Sequence, residues 1–207
     1  MGVPDKDGVL VGNVYDKYGS RNPIARYLMR GFLKSVTELY GRSSPDSVLE
    51  VGCGEGHLAQ HLAIQGPRPE RFEACDVSLD HLAAGLDPLI EFRKASIYDL
   101  PWSGASFDLV VCCEVLEHLD DPKRGLRELA RVARRYLLVS TPREPLWRAL
   151  NMAGGRYWRS FGNTPGHVQH FGRRDLLDAV SEVANVRDVR VPLPWVVVLG
   201  AVRQARD

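Results

Sequence analysis

Apolar residues follow two patterns along this chain. Short apolar runs predict strands, and apolar residues that recur at helical spacing predict helices. Short apolar runs predict strands over residues 47–51, 71–76, 91–97, 107–113 and 136–140, with helices between them, one of them over residues 79–84. An earlier helix is predicted after Asn22-Pro23, because apolar residues recur at helical spacing up to Gly41. Strands that alternate with helices imply right-handed parallel crossovers within one sheet.

The chain ends on a different pattern. A helix near residues 173–184 is followed by apolar segments at 186–192 and 195–203, which are joined across Pro192-Leu193-Pro194. Such a short link allows only an antiparallel pair of strands. The whole pattern therefore predicts an α/β fold with an antiparallel ending.

A glycine-rich turn connects the first predicted strand to the helix that follows it. Glycines at positions 52, 54 and 56 let the backbone approach a ligand without any Cβ in the way, and Glu50 faces the same turn. A dinucleotide-binding turn has the spacing G-x-G-x-x-G, but here the third glycine comes one position early. A carboxylate beside the loop also repels phosphate and attracts an ammonium group. The turn therefore favours a cofactor that carries an amino group and no phosphate.

This E-x-G-x-G-x-G segment resembles the class I S-adenosylmethionine-dependent methyltransferases, and the resemblance covers most of the chain. Further similar segments are D-L-P at residues 99–101, and S-F-D followed by E-V-L-E-H over residues 106–118. The resemblance implies a Rossmann-like three-layer αβα sandwich, whose seven-stranded, mostly parallel sheet has an antiparallel last strand. It also implies S-adenosylmethionine as the cofactor and S-adenosylhomocysteine as the product.

The same resemblance assigns a cofactor-binding role to residues that follow successive strands. Asp76 is expected to accept hydrogen bonds from the ribose hydroxyls, although it could instead cap a helix. Where relatives have an acid at the adenine amino group, this chain has Ser96, a neutral and weaker acceptor. Glu114 is expected near the methionine portion. The full expected set is Glu50, Gly52, Cys53, Gly54, Gly56, Asp76, Val77, Ser96, the Ile97 backbone, Glu114 and Tyr18.

Two of these assignments have structural alternatives. Tyr18 belongs to an N-terminal segment that is similar to leaders that fold over the cofactor in relatives, but a disordered leader is the competing interpretation. Asp99 is expected to be a turn cap rather than a binding residue.

Three histidines are candidate catalytic bases. His118 follows Glu114 by one helical turn, and His167 and His170 lie in a segment that resembles H-x-x-H-F in relatives. A helix-capping or structural role for His118 is equally compatible with the sequence. His167 and His170 could share a metal, but no nearby acid or cysteine completes a ligand set, so no metal is expected.

The chain is expected to form a single methyltransferase domain over residues 1–207. Residues 1–43 would form an N-terminal helical cap, and residues 141–172 an insertion on the acceptor side of the sheet. The insertion is dense in aromatic residues, which predicts either a lid over an apolar or ring-shaped acceptor or local packing.

Composition narrows the class of partner. The 207 residues have a formal net charge of +1, so no global field attracts nucleic acid or anionic lipid. Arginines at 124, 127, 131, 134 and 135 are predicted to form a solvated helix face rather than a nucleic-acid patch. The apolar run at 195–202 is too short to span a bilayer, and the first residues do not resemble a secretory signal. Four cysteines without C-x-x-C spacing predict buried thiols and a cytoplasmic location.

These observations predict methyl transfer from S-adenosylmethionine to a small-molecule acceptor. An oxygen acceptor is favoured, and nitrogen or carbon acceptors stay open. Two other classes of function compete: an NAD-dependent oxidoreductase, which Glu50 and the glycine spacing disfavour, and a non-catalytic cofactor-binding regulatory subunit. The sequence does not predict the oligomeric state.

Overall fold

A seven-stranded mixed sheet organises the protein. The computed structural model describes residues 21–153, 155, 160–161, 163–164 and 167–203, and the backbone of residues 3–4 and 10–11. The strands are β1 (Val3–Pro4), β2 (Leu10–Val11), β3 (Ser47–Val51), β4 (Arg71–Asp76), β5 (Ile90–Lys94), β6 (Phe107–Cys113), β7 (Ala133–Pro142), β8 (Ala184–Arg190) and β9 (Trp195–Val202). The helices are α1 (Pro23–Ser43), α2 (His57–Gln65), α3 (Pro122–Val132), α4 (Leu146–Ala153) and α5 (Arg173–Val183), with a 3₁₀ turn at Leu116–His118.

The strand order in the large sheet is β5-β4-β3-β6-β7-β9-β8. Neighbouring strands from β5 to β7 are parallel, and β9 runs antiparallel to both β7 and β8. The predicted fold class is therefore confirmed, including the antiparallel last strand. Because β3 and β6 lie side by side at the centre, the loops after their carboxyl ends meet over the middle of the sheet.

Helices cover both faces of the sheet and produce three layers. On one face, α1 and α2 pack over a core that includes Phe32, Leu62, Leu109 and Val111. On the other face, α3 and α5 enclose a second core. The pleat of β6 explains the division, because successive residues point to opposite faces. Cys112 therefore belongs to the second core and the adjacent Cys113 to the first.

The first helix begins where the sequence predicts it to begin. The Asn22 side chain accepts a hydrogen bond from the backbone N–H of Ile24 at 2.9 Å, and Pro23 occupies the first helical position. The helix buries Phe32, Val36 and other apolar side chains against the sheet. Among the described residues, no helix is both long enough and apolar enough to cross a membrane.

Three local predictions were wrong. Residues 77–89 form turns, so no helix covers 79–84 between β4 and β5. The strand predicted over 91–97 ends at Lys94, because Ser96 and Asp99 form a tight turn instead. The arginine stripe is also shorter than predicted, since α3 ends at Val132 and Arg134 lies in β7, where it pairs with Asp108. In each case, a tertiary contact or a turn replaced the continuation that the local pattern favoured.

Candidate cofactor and acceptor site

The glycine turn lies against the end of the neighbouring strand β4. The backbone N–H groups of Gly52 and Cys53 both donate to the carbonyl of Cys75, at 2.8 and 3.0 Å. Gly52, Gly54 and Gly56 have φ angles of +79°, +52° and +80°, the left-handed region that favours glycine. This conformation carries the chain from the end of β3 directly into α2.

The glycines at 52 and 54 serve different purposes. A Cβ on Gly52 would lie 2.3 Å from Cγ2 of Val115, so internal packing excludes any side chain there. A Cβ on Gly54 would meet no atom of the described residues within 4 Å. Gly54 therefore presents bare backbone to open space, as a loop that receives a ligand must.

Glu50 is a buried acid at the end of β3. Burial, with a smaller contribution from the charge of Asp76, raises the pKa of Glu50 to about 8. Its Oε2 is buried and has no hydrogen-bond partner among the described residues. A buried carboxylate oxygen of this kind fits a cationic or hydrogen-bond-donating ligand, such as the amino group that the resemblance implies.

Asp76 ends β4 opposite the glycine turn. Its Oδ2 accepts the backbone N–H of Gly54 at 2.8 Å, and Oδ1 accepts that of Ser78 at 3.4 Å. A carboxylate offers about four acceptor positions, which leaves capacity for two ribose hydroxyls. The alternative role as a helix cap does not apply, since no helix follows; half-buried Val77 begins a turn.

The adenine segment forms a compact turn. The Ser96 hydroxyl accepts the backbone N–H of Tyr98 at 3.2 Å, and the Ser96 carbonyl accepts that of Asp99 at 3.0 Å. Asp99 thus closes this turn through its backbone N–H. Ile97 is buried in the core, so only its backbone is suited to contact a base.

Glu114 follows β6 in an unusual conformation. Its φ of +62° lies in the left-handed region, which is strained for a residue with a Cβ. Its Oε1 accepts the Ser140 hydroxyl at 3.3 Å, and its Oε2 accepts the indole N–H of Trp195 at 2.7 Å. Strands β7 and β9 therefore fix the position of this carboxylate at the end of β6, the strand that neighbours β3.

Trp195 is a site residue that sequence reasoning missed. The sequence predicts it only as part of an apolar strand, yet its indole N–H donates to Glu114, 81 positions earlier. A tryptophan in a buried strand needs an acceptor for this N–H, which was the available signal. The identity of that acceptor depends on the strand order.

An aromatic row extends from Trp195 toward the histidines. Ring centroids lie 5.7 Å apart for Trp195 and Trp147, 6.2 Å for Trp147 and His167, and 4.9 Å for His167 and His118. The row joins β9, α4 and the segments after β6 and α4. Because β9 lies beyond β7 from β6, the Trp195 end of the row lies on the side of Glu114 away from β3.

The three candidate histidines do not lie together. His118 and His167 are in ring contact, whereas His170 is exposed and its Nε2 lies 3.0 Å from Oδ1 of Asn163. Glu117 lies beside the first two, and the donor atoms of Glu117, His118 and His167 are all within 4.8 Å of one another. The sequence analysis expected no acid near His167 and His170; the structure places Glu117, 50 positions earlier in the sequence, beside His167 but groups it with His118 and not with His170.

Three expected features fall outside the described residues. They are Tyr18, the neighbouring residues 12–20, and two aromatic residues of the insertion, Tyr157 and Trp158.

The family model described as a methyltransferase domain matches residues 24–185. The chain belongs to this family. The match begins with α1 and extends into β8, so it includes the glycine turn, Asp76, Glu114 and all three histidines. The resemblance to class I S-adenosylmethionine-dependent methyltransferases is thereby confirmed.

Curated proteins that are similar to this methyltransferase domain are also named methyltransferases. A Mycobacterium tuberculosis protein named a probable S-adenosylmethionine-dependent methyltransferase is 36% identical over 121 residues, 58% of this chain and 44% of the relative. The ubiquinone biosynthesis O-methyltransferase of Paracidovorax citrulli is 35% identical over 112 residues, 52% of this chain and 45% of the relative. The matched region thus spans less than half of either relative.

Solved structures share the fold. Magnesium protoporphyrin IX methyltransferase from Synechocystis PCC 6803, solved with bound SAH, superposes with a TM-score of 0.63. The alignment covers 90% of each chain at 19% identity. This likeness independently supports the three-layer architecture.

Proposed function

We propose that this methyltransferase domain transfers a methyl group from S-adenosylmethionine to an oxygen atom of a small-molecule acceptor. The observation that carries the cofactor assignment is the buried Oε2 of Glu50, which has no hydrogen-bond partner among the described residues and lies beside a glycine turn that is open at Gly54. The relative named a probable S-adenosylmethionine-dependent methyltransferase supports the cofactor, and the one named a ubiquinone biosynthesis O-methyltransferase supports an oxygen acceptor.

The cofactor-binding residues have distinct roles in this proposal. Glu50 attracts the cationic amino group, while the Gly54 backbone allows close approach. Asp76 accepts the ribose hydroxyls, and the Ser96 hydroxyl and Ile97 backbone meet the adenine. Gly52, Cys53, Gly56 and Val77 shape the surrounding backbone, Glu114 borders the methionine portion, and Tyr18 covers the cofactor.

When bound, S-adenosylmethionine supplies a sulfonium methyl group that passes in line to a lone pair of the acceptor. The protein contributes mostly by holding the acceptor in line and excluding water. The acceptor side is the wall formed by Trp147, Trp195 and His167, with residues 141–172 as the acceptor-side insertion. A flat or apolar acceptor suits this wall, because aromatic rings bind such surfaces well.

An oxygen acceptor must lose its proton, and a histidine near the wall is the natural recipient. His118 and His167 lie together there, which favours them over the exposed His170. We also propose that residues 1–207 act as a single domain, with residues 1–43 as its N-terminal cap.

Calorimetric titration tests the cofactor assignment directly. Wild-type protein should bind S-adenosylmethionine and S-adenosylhomocysteine saturably and should not bind NAD. Glu50→Gln should weaken the binding of both adenosyl compounds at least about tenfold, since a charge-assisted contact is lost. The matched control is Glu91→Gln on β5, where the side chain is exposed.

Binding of NAD in place of the adenosyl compounds would contradict the proposal. Transfer of radiolabelled methyl to a small-molecule fraction of a cell extract then tests catalysis. Saturable cofactor binding without any such transfer would favour a regulatory binding subunit instead.

A further inference from the structure

Glu117, His118 and His167 form a cluster of metal-ligating side chains that the cofactor site does not use. Glu117 and His118 belong to the 3₁₀ turn after β6, and His167 belongs to the segment after α4. Their donor atoms all lie within 4.8 Å of one another. Two imidazoles and one carboxylate from separate segments therefore converge at one point beside the acceptor wall.

Backbone hydrogen bonds fasten the two segments together. The carbonyl of Glu117 accepts the N–H groups of both Val168 and Gln169 at 3.0 Å. The residue after His167 is thus tied to the residue before His118. This convergence is part of the fold rather than a chance approach of mobile side chains.

The His167 ring has further support. Trp147 stacks on it with an interplanar angle of 24°, and the indole N–H of Trp147 donates to the Thr164 hydroxyl at 2.9 Å. The backbone N–H of His167 donates to the Thr164 carbonyl at 3.1 Å. Metal-binding histidines are commonly oriented by such surrounding contacts.

Burial and charge favour a cation at this point. Glu117 is only 2% exposed and His167 only 7% exposed. A carboxylate this deeply buried is stable in its charged form when a cation lies against it. A divalent metal satisfies the carboxylate and binds both neutral imidazoles at once.

We propose that Glu117, His118 and His167 bind a divalent first-row transition metal ion of the Zn²⁺ type. Imidazole nitrogen suits Zn²⁺ and its neighbours, whereas Mg²⁺ prefers oxygen ligands. In a tetrahedral zinc site, donor atoms are about 3.4 Å apart, so modest side-chain rotations complete the site. Three protein ligands leave one position open.

The open position suggests a use. This use of the open position rests on the proposed methyltransferase function, because it requires an acceptor hydroxyl that reaches the metal from the side of Glu114. A metal at that position would make a bound hydroxyl more acidic and would orient it. The hydroxyl proton would then pass to solvent water, and His118 and His167 would act as metal ligands instead of as the base. The acceptor class would then be hydroxyl compounds that can bind a metal, rather than amines or carbon nucleophiles. Metal binding itself does not depend on the methyltransferase assignment.

The test is zinc binding by tag-free protein that has been stripped with a chelator. Calorimetric titration with ZnCl₂ and measurement of metal content after dialysis should give one ion per chain for the wild type. Replacement of Zn²⁺ by Co²⁺ should produce the intense visible absorption of a four-coordinate site. Titration with MgCl₂ should show much weaker binding.

Variants locate the ion. Glu117→Gln and His167→Asn should each weaken zinc binding at least about tenfold, because each removes a direct ligand. His170→Asn is the matched control, since His170 is exposed and outside the cluster, and it should bind zinc like the wild type. Circular dichroism checks that each variant has the same fold as the wild type. If Glu117→Gln does not fold, His167→Asn alone tests the metal site.

Absence of stoichiometric zinc binding by the wild type would overturn the proposal. Equal zinc binding by wild type and His167→Asn would overturn it as well. Titration of the same samples with S-adenosylhomocysteine separates the two proposals. Zinc binding without binding of the adenosyl compound contradicts the methyltransferase assignment alone, and the reverse result contradicts the metal site alone.

Discussion

At the scale of single residues, Glu50 lowers the stability of the free protein near neutral pH, and its proposed role is to bind the cofactor. Its pKa is raised by burial to about 8, so the folded protein holds a proton there that the unfolded chain releases near pH 4.5. An ammonium ligand would favour the charged form instead. The residue is therefore costly in the free protein near and above neutral pH and useful in the complex.

The pH dependence of stability follows from this raised pKa. Between about pH 4.5 and 8 the folded state binds more protons at Glu50 than the unfolded state does, so stability falls as pH rises. Glu50→Gln removes this contribution. Urea unfolding at pH 5, 6, 7 and 8 should show the variant gaining stability relative to wild type at each step. Parallel profiles for the two proteins would contradict the raised pKa.

Glycines 52 and 54 should respond differently to alanine. Gly54→Ala places a Cβ in open space at φ +52°, so we expect a stability loss of about 1–2 kcal/mol, as left-handed backbone costs an alanine. Cofactor binding should fall at least about tenfold, because the Cβ fills the approach to the loop. Chemical denaturation and calorimetric titration measure the two effects.

Two further variants make that comparison specific. Gly85→Ala also has positive φ and open space, but it lies outside the glycine turn, so it should lose similar stability and retain cofactor binding. Gly52→Ala should be destabilised by about 3 kcal/mol, since strain and the overlap with Val115 add. Equal cofactor affinity for Gly54→Ala and Gly85→Ala would contradict the proposal that Gly54 faces the ligand.

At the scale of elements, Asp108 links three strands at the edge opposite the site. Its Oδ2 accepts the backbone N–H groups of Asp46 and Ser47 at 3.2 Å, and its Oδ1 accepts from Arg134 at 2.6 and 2.9 Å. Burial acts to raise its pKa, but Arg134 and these donors outweigh burial and lower it. The carboxylate thereby joins the starts of β3, β6 and β7.

Asp108→Ala should destabilise the protein by about 2 kcal/mol, because it leaves backbone donors without an acceptor. Asp178→Asn on the exposed face of α5 is the control and should change stability by less than about 0.5 kcal/mol. The contribution of Asp108 is present above its unfolded pKa of 3.8 and is lost as pH falls through the lowered folded value. A stability difference that stays constant in urea unfolding down to pH 2 would contradict this account.

Elements also show where local pattern was sufficient and where it was not. The strands β3, β4 and β6 have the bounds that apolar runs predicted, since buried parallel strands carry a continuous apolar signal. The boundary between α3 and β7 differs, because Arg134 reaches Asp108 on the neighbouring strand. A long-range ion pair of this kind leaves no trace in helical periodicity.

At the scale of the whole molecule, the cofactor site joins elements that fold together. The glycine turn, Asp76 and Glu114 follow three different strands and meet only in the completed sheet. A ligand that contacts all three must therefore stabilise the native state as a unit.

S-adenosylhomocysteine at one hundred times its dissociation constant should stabilise the protein by about 2.7 kcal/mol. For a domain of this size the melting temperature should rise by roughly 5–10 °C. Differential scanning fluorimetry measures the shift, with NAD as the negative control and Glu50→Gln giving a smaller shift. An equal shift for Glu50→Gln would show that Glu50 does not contact the ligand.

The sequence by itself determined the fold class and the glycine turn with Glu50 beside it, whereas Asp76 and Glu114 became site candidates only through the resemblance to methyltransferases. These are local signals: apolar runs report burial, and a glycine reports a backbone position that other residues cannot occupy. The short link before β9 was likewise sufficient to predict its antiparallel direction.

Tertiary structure decided which distant residues meet. The contact of Trp195 with Glu114 and the convergence of Glu117 with His118 and His167 depend on strand order and on the position of the insertion. The turn at residues 77–89 likewise packs Leu86 against the glycine turn instead of forming a helix. Local pattern tells how each residue is buried, but its partner is selected only when the sheet brings separate segments together.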